Sequence, residues 1–590
     1  MTQPGSVSGS SRALLALAAV AVAFAAADTY VVVLALPEMM AAVGVPIDQL
    51  QKAAPIVSGF LLGYVAMLPL IGRIADLRGR VPVLVAALVL FAVGSLVTTL
   101  AYDMPSLVGG RFLQGVGGGG LVPATLALVA DLYPADRRGV PLGIVSAVQE
   151  LGSVVGPLFG AVVLAVADWR AIFLVNLVVG VALAVAIRSL ARDRTGAAPP
   201  GARRRVPDPI GLVLLLVTVV AGGLVFTRPP PLMRDLSWGR LFIPFAGDGR
   251  WLTPLGVVAM TAALLFLVRC CTASRPLFDL RGWVRTLREA DLVGALFLAV
   301  ALAGVILAFA TADPRIQVFS DQGLWFLLGS AVAATAFAVH LRRAEAPLVP
   351  PGALRRTPAW GAMVVSFFVG AALIAALIDI PIFARTTIYS DSQLMAALVL
   401  VRFLVALPVG AVLGGYLMRT VSAGVITAIG MALAALGFLL MSNWHVTSLE
   451  DASSNVALVV CGFGFGLALA PVNAAVLAST DDEVHGLASA LVVVARMVGM
   501  LVGISALTTI GLRRYYAEQA DLPTARDICA GKSRCAEFTD LLRVAGIEQE
   551  HTVFTGAAIC AVIGGVLALV LFRSAATRAL DTGDLLRAAG

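Results

Sequence analysis

Asp28, Arg111, Glu150 and Arg496 each sit inside a long stretch that is otherwise apolar, and together they supply both signs of charge. In hydrocarbon an unpaired charge costs about 2.5 to 3.5 kcal/mol, so four would cost on the order of 10 kcal/mol. Such residues pair, line water or carry protons. Asp28 and Glu150 come early in the chain and Arg496 late, so a bridge from either acid to Arg496 would tie distant regions together. Protonating the acid would loosen that tie. Burial and a neighbouring guanidinium act in opposite senses on a carboxyl's hold on its proton, so opening and closing the site would swing its proton affinity. The same pair is also open to a static structural role. Asp379 and Arg402 are two further charges within apolar runs, either participants in this pathway or anchors at the interface.

The elements that must position these residues are membrane helices. The 590 residues are 59% hydrophobic and only 13% charged, with a mean hydropathy of +0.95. No soluble core needs so much apolar sequence. A spanning helix takes about 20 apolar residues, and such runs recur along the whole chain. Six fall between 13 and 188, four near 209 to 227, 253 to 269, 291 to 311 and 324 to 341, and six between 359 and 573. The expected fold is therefore an all-α polytopic membrane protein of sixteen spans. Residues 1–190 form an N-terminal six-helix unit, 191–357 a central linker with four inserted helices, and 358–590 a C-terminal six-helix unit. The run after the polar N-terminus continues through Asp28 to Pro37, beyond signal-peptide length, and reads as an uncleaved first span.

Arginines crowd alternate connections: Arg73, Arg78 and Arg80; Arg137 and Arg138; Arg188 with Arg203 to Arg205; Arg275, Arg281 and Arg285; Arg342, Arg343, Arg355 and Arg356. The positive-inside rule makes these loops and both termini cytoplasmic, in the cell membrane. It also accounts for the net charge of +7 without a nucleic-acid partner. In the central linker, Asp208-Pro-Ile-Gly211 opens one pair of spans and Asp291-Leu-Val-Gly294 the next, with Pro276-Leu277 and Pro347-Leu348 following the respective pairs. A duplicated two-helix insertion, or chance recurrence, gives that echo. On the outer face, 228–252 carries Trp238, Phe242, Phe245 and Trp251 and belongs at the headgroup level. The polar extracytoplasmic loop 513–552 holds Cys529 and Cys535, candidates for a disulfide because that face is oxidising.

Gly72-Arg-Ile-Ala-Asp76-Leu77-Arg78-Gly79-Arg80 resembles the signature loop of the major facilitator superfamily. Gly72, Asp76, Gly79 and Arg80 are in place, while Leu77 and Val81 stand where basic residues are preferred. Arg111-Phe-Leu-Gln114-Gly115-Val-Gly117 is similar to that superfamily's proton-transfer motif. Gly152, Gly156, Pro157 and Gly160 resemble its antiporter motif; the glycines at i, i+4 and i+8 make one smooth helix face. Asp28-Thr-Tyr30 and Trp169-Arg170 through Asn176 resemble the drug:proton antiporter branch, whose members carry a central two-helix insertion; this chain has an extra pair. The runs around Glu150, Arg402 and Arg496 look like the mycobacterial triacylglyceride exporters of that branch. The resemblance implies two six-helix bundles, proton coupling through Glu150 and Arg496, and a gating loop at Gly72 to Arg80.

The implied function is a proton-coupled antiporter that exports hydrophobic substrates, triacylglycerides foremost, by alternating access. The alternative is efflux of amphiphilic drugs or dyes, and a remote one is a non-transporting membrane receptor. Enzyme chemistry is not expected: the four His, at 340, 445, 485 and 551, have no metal-ligand spacing, and no Gly-x-Ser-x-Gly elbow occurs. The glycine-rich run after Arg111 lacks a Walker lysine, so ATP is not expected, and the proton gradient takes the place of a cofactor. Expected partners are a hydrophobic small molecule or lipid, the bilayer, and an extracytoplasmic lipoprotein that receives cargo at 513–552; the chain is expected to be a monomer.

Overall fold

The computed structural model describes residues 9–45, 50–134, 137–194, 208–245, 249–274, 276–310, 322–389, 392–520, 522–523, 528–529, 535–575 and 577. Arg203 to Arg205 and Arg275 lie outside the described residues. Helices dominate because a chain in hydrocarbon must satisfy its backbone internally. The first six long helices are α1 (Gly9–Ala42), α2 (Leu50–Arg78), α3 (Arg80–Leu100), α4 (Met104–Leu132), α5 (Gly139–Val166) and α6 (Trp169–Arg194). A central set follows: α7 (Pro209–Thr227), the single turn α8 (Pro230–Arg234), α9 (Pro254–Thr272), the ten-residue α10 (Leu280–Glu289), α11 (Leu292–Ala310) and α12 (Gly323–Leu341). The last six are α13 (Thr357–Thr386), α14 (Gln393–Leu417), α15 (Ala423–Met441), α16 (Ala452–Leu477), α17 (His485–Ala520) and α18 (Ala536–Leu571). Among the described residues, fifteen helices are long and apolar enough to cross a membrane, and α5, at 28 residues, is the sixteenth long helix.

Packing repeats from one set of six to the other. Helix α1 lies on α5, α2 and α3 on α4, and α3 on α6; in the same order α13 lies on α17, α14 and α15 on α16, and α15 on α18. The two sets meet through α2 against α17 and α5 against α14, which exchange under the same relation. These seams are built from residues with little or no side chain. Gly72 abuts Gly486, Gly139 abuts Gly415, and Gly143 abuts the Ala411 carbonyl, so closely that a Cβ on any of these glycines would overlap the facing backbone. All three approaches lie at the end that carries the Arg-rich α2–α3 and α4–α5 turns.

The central helices form two like-built pairs, α7 with α9 and α11 with α12, and α11 also packs on α2 and α17. Asp208, at the start of α7, takes two bonds from Arg269 at the end of α9 (2.8 and 3.1 Å). Asp291, at the start of α11, takes His340 Nε2 from the end of α12 (2.7 Å) and the backbone N–H of Leu348 (2.9 Å). Gly211 and Gly294 face their own capping carboxylates. A third Asp-x-x-Gly, absent from the sequence reading, starts α10: Gly282 N–H donates to Asp279 (3.0 Å). That helix is clasped to the α2–α3 turn, where Arg78 bonds Asp279 (2.9 Å) and stacks on Trp283 at 4.5 Å. The Gly282 N–H and then Arg78 hold the exposed Asp279 carboxyl below its usual range.

Helices α17 and α18 have 36 residues each, about 54 Å at 1.5 Å per residue, against a hydrocarbon core of about 30 Å. Segment 513–552, read from polarity as a loop, is thus mostly the continuation of these two helices. Polar helix formers sustain it, with Arg514 and Glu518 pairing at 2.6 Å one turn apart. Cys529 and Cys535 are joined by a disulfide between the two helices, with Cα atoms 5.5 Å apart.

Candidate functional site

Helix α5 carries Glu150 and α17 carries Arg496, and the structure brings them together across the two sets of six. Arg496 Nη1 lies 4.0 Å from Glu150 Oε1, both side chains about one-tenth exposed. Small residues make the approach attainable. Gly370 lets α13 press on the Arg496 backbone, Gly499 and Gly503 do the same against Phe367 and Ala371, and Gly152 and Gly156 let α5 close on Ala23 and Ala27 of α1. Gly152, Gly156 and Gly160 are all buried, as one smooth face predicts. The side chain of Pro157 lies outside the described residues. Tyr64 of α2 sits in the field of both charges. Arg496 also borders a void of about 10 Å³ with Asn473 and Ser366, close to the roughly 10 Å³ that one water needs.

Asp28 does not take part in that contact. It is 2% exposed and closed within the first six helices, where Arg111 Nη1 donates to its Oδ2 (2.7 Å) and Gln114 Nε2 to its Oδ1 (3.0 Å). Asn176 Nδ2 from α6 donates to the same Oδ1, and Gln114 donates on to Ser95 of α3 (3.0 Å). Arg111 is sandwiched by Phe60 at 4.3 Å and Phe173 at 5.6 Å. Of the two acids that sequence offered to Arg496, geometry thus selects Glu150. Asn176 and Gln114 turn out to be full members of the Asp28 network; as neutral residues they give no hydropathy signal of that role.

The gating loop lies between the two sets. Asp76 accepts from the backbone N–H groups of Gly486 (2.7 Å) and Leu487 (2.9 Å), so an acid of α2 caps the electropositive start of α17. Arg80 donates to the Asp482 carbonyl (2.8 Å) and lies 3.4 Å from Asp76 and 3.3 Å from Asp131. Arg73 reaches the Glu483 carbonyl (3.3 Å). Gly79 turns the chain at φ +93°, a conformation that a side chain disfavours. Asp131, Asp482 and Glu483 were not singled out in sequence because they lie at span ends, where acids are common.

The two secondary charges differ. Arg402 Nη1 donates to Asn455 Oδ1 (2.9 Å), joining α14 to α16 inside the last six helices. Asp379 is 3% exposed and lies in the electrostatic field of Glu550 of α18. Glu550 was missed because its stretch reads as a polar loop.

Comparison with known proteins fits this architecture. The family model described as Major Facilitator Superfamily matches residues 18–341 and 292–504. The triacylglyceride transporter of Mycolicibacterium smegmatis is 32% identical over 579 residues, covering 95% of this chain and 88% of the relative. That of Mycobacteroides abscessus is 34% identical over 553 residues, covering 92% and 90%. Among solved structures, the human organic anion transporter MFSD10 (TETRAN) has the same fold, with a TM-score of 0.52 at 13% identity and coverage of 95% and 99%.

Proposed function

Because the chain belongs to the major facilitator superfamily, and is thus a multi-pass membrane transporter, we propose that it exports hydrophobic molecules, triacylglycerides foremost, in exchange for protons. The observation that carries this reading is the Glu150–Arg496 contact at 4.0 Å between the two sets of six helices. A proton arriving on Glu150 cancels its attraction to Arg496 and frees the sets to shift. The seams at Gly72–Gly486 and Gly139–Gly415 close the Arg-rich end, which the positive-inside rule assigns to the cytoplasm. The structure is then a state shut toward the cytoplasm, from which cargo leaves outward. Resetting requires Asp76 to release the start of α17. A membrane potential contributes about 2.3 kcal/mol per charge per 100 mV, the scale of one such contact.

The lipid cargo is supported by relatives carrying that name at 32% to 34% identity over nearly the whole chain. The helices that rise beyond the bilayer toward Cys529 and Cys535 supply a platform on which an extracytoplasmic lipoprotein would collect lipid. The test is substrate-dependent proton flux in vesicles. Glu150→Gln abolishes it if the reading holds, whereas unchanged flux removes Glu150 from the mechanism. Competition between labelled triacylglyceride and a cationic dye decides the cargo: displacement of lipid by dye alone would point to drug efflux.

A further inference from the structure

Asp379 on α13 and Glu550 on α18 are 3% and 1% exposed where the two helices pack, and each carboxyl lies in the electrostatic field of the other. Among the described residues no Arg, Lys or His forms an ion pair with either. A carboxylate only accepts hydrogen bonds, whereas a carboxylic acid has one O–H to donate. Two carboxyl groups therefore bond each other only when one carries a proton. Glu550 Oε1 is already served by Gln549 Nε2 at 3.2 Å, but Oε2 is buried and, with both acids ionised, has no donor at all.

The surroundings offer no substitute for that proton. Phe383, one turn from Asp379, and Phe554, one turn from Glu550, pack with Trp444 at centroid separations of 5.2 to 6.5 Å and fill the space beside the pair. Helices α15 and α16 bring no charged residue to it. On α18 the nearest titratable groups are Glu548 and His551, which face each other at 3.6 Å, while His551 Nε2 bonds the Trp444 carbonyl (2.6 Å). On α13 Arg385 is exposed, as is His445 in the turn after α15. On α17 Arg514 is taken by Glu518.

We propose that Asp379 and Glu550 form a second proton-binding site, which holds one proton between α13 and α18 apart from the Glu150–Arg496 contact. Asp379 lies nine residues beyond Gly370, the residue that abuts Arg496, or roughly 13 Å along α13. Losing the proton would set two like charges against each other and press α13 and α18 apart toward the outer end. The site deepens the reading of proton-driven export, but its occupancy does not depend on that reading.

Infrared difference spectroscopy of the full chain in lipid nanodiscs, titrated across pH, tests the proposal. The wild type should show the carbonyl stretch of a buried carboxylic acid. That band should vanish in both Asp379→Asn and Glu550→Gln, and each variant should bind one proton fewer per chain. Either amide can donate to the remaining carboxylate, so the contact and the fold persist, as thermal melting will verify. Glu150→Gln should keep the band while losing coupled flux, which separates the two readings. A band of wild-type size in both amide variants, or none in the wild type, overturns the proposal.

Discussion

Asp28 and Glu150 are acids of the same six-helix set, both more than nine-tenths buried, yet their surroundings differ in kind. Asp28 accepts from Arg111, Gln114 and Asn176, contributed by two other helices of its own set, and its Arg is further held between two rings. Glu150 has a single cation, at 4.0 Å, on the other side of a seam lined with glycine. A saturated network fixes helices relative to one another, because every departure strands a buried charge. A sparse contact leaves its members able to part. The first arrangement builds the scaffold and the second suits a moving joint, although both look alike as isolated charges in apolar sequence.

That contrast is open to direct attack. Asp28→Leu should have the largest effect on stability, about 3 to 5 kcal/mol, because it leaves Arg111 buried without a counter-charge; thermal melting in detergent measures it, and a change as small as that for Glu150 would erase the distinction. Gly72→Ala comes next. Its new Cβ would lie 2.9 Å from the Ala490 Cβ and against the Gly486 carbonyl, and overpacking of this kind costs roughly 1 to 3 kcal/mol. The cost falls only on the closed seam, so cysteine accessibility from the Arg-rich end should rise while the melting of each helical set is kept.

Glu150→Gln should cost less stability than Asp28→Leu, since the contact is long and a glutamine keeps a polar group facing Arg496, while it removes coupled flux. A stability loss comparable to that of Asp28→Leu would make Glu150 a scaffold residue too. The smallest effect belongs to the exposed clasp of Arg78, Asp279 and Trp283. The Asp279 carboxyl is held below its ordinary value of 3.8, so its contribution is present above that value and is lost as pH falls through the depressed one. Fluorescence of Trp283 should therefore report release of α10 only in acid below about pH 4, and Asp279→Asn should flatten that transition.

The sixteen helices were legible because each needs a long apolar run and arginines mark alternate turns. The Glu150–Arg496 pairing was legible as two opposite charges that hydrocarbon would not leave alone. What sequence left undecided was which acid meets Arg496, since the residues that claim Asp28 include the neutral Gln114 and Asn176 and come from two other helices, α4 and α6. Glu550 was hidden by its context: the polar residues of 513–552 prolong two helices beyond the bilayer, and polarity alone does not distinguish that from a loop. The third Asp-x-x-Gly, at Asp279, went unread because α10 is too short and too charged to register as a span.

The seams at Gly72–Gly486 and Gly139–Gly415 meet without interlocking teeth. Glycine has no rotamers to freeze, so bringing these faces together removes no side-chain freedom, whereas ordering one long side chain costs up to about 2 kcal/mol. Closing such a seam therefore carries no side-chain ordering cost, and what holds the Gly72–Gly486 approach shut is the Asp76 carboxylate on the start of α17.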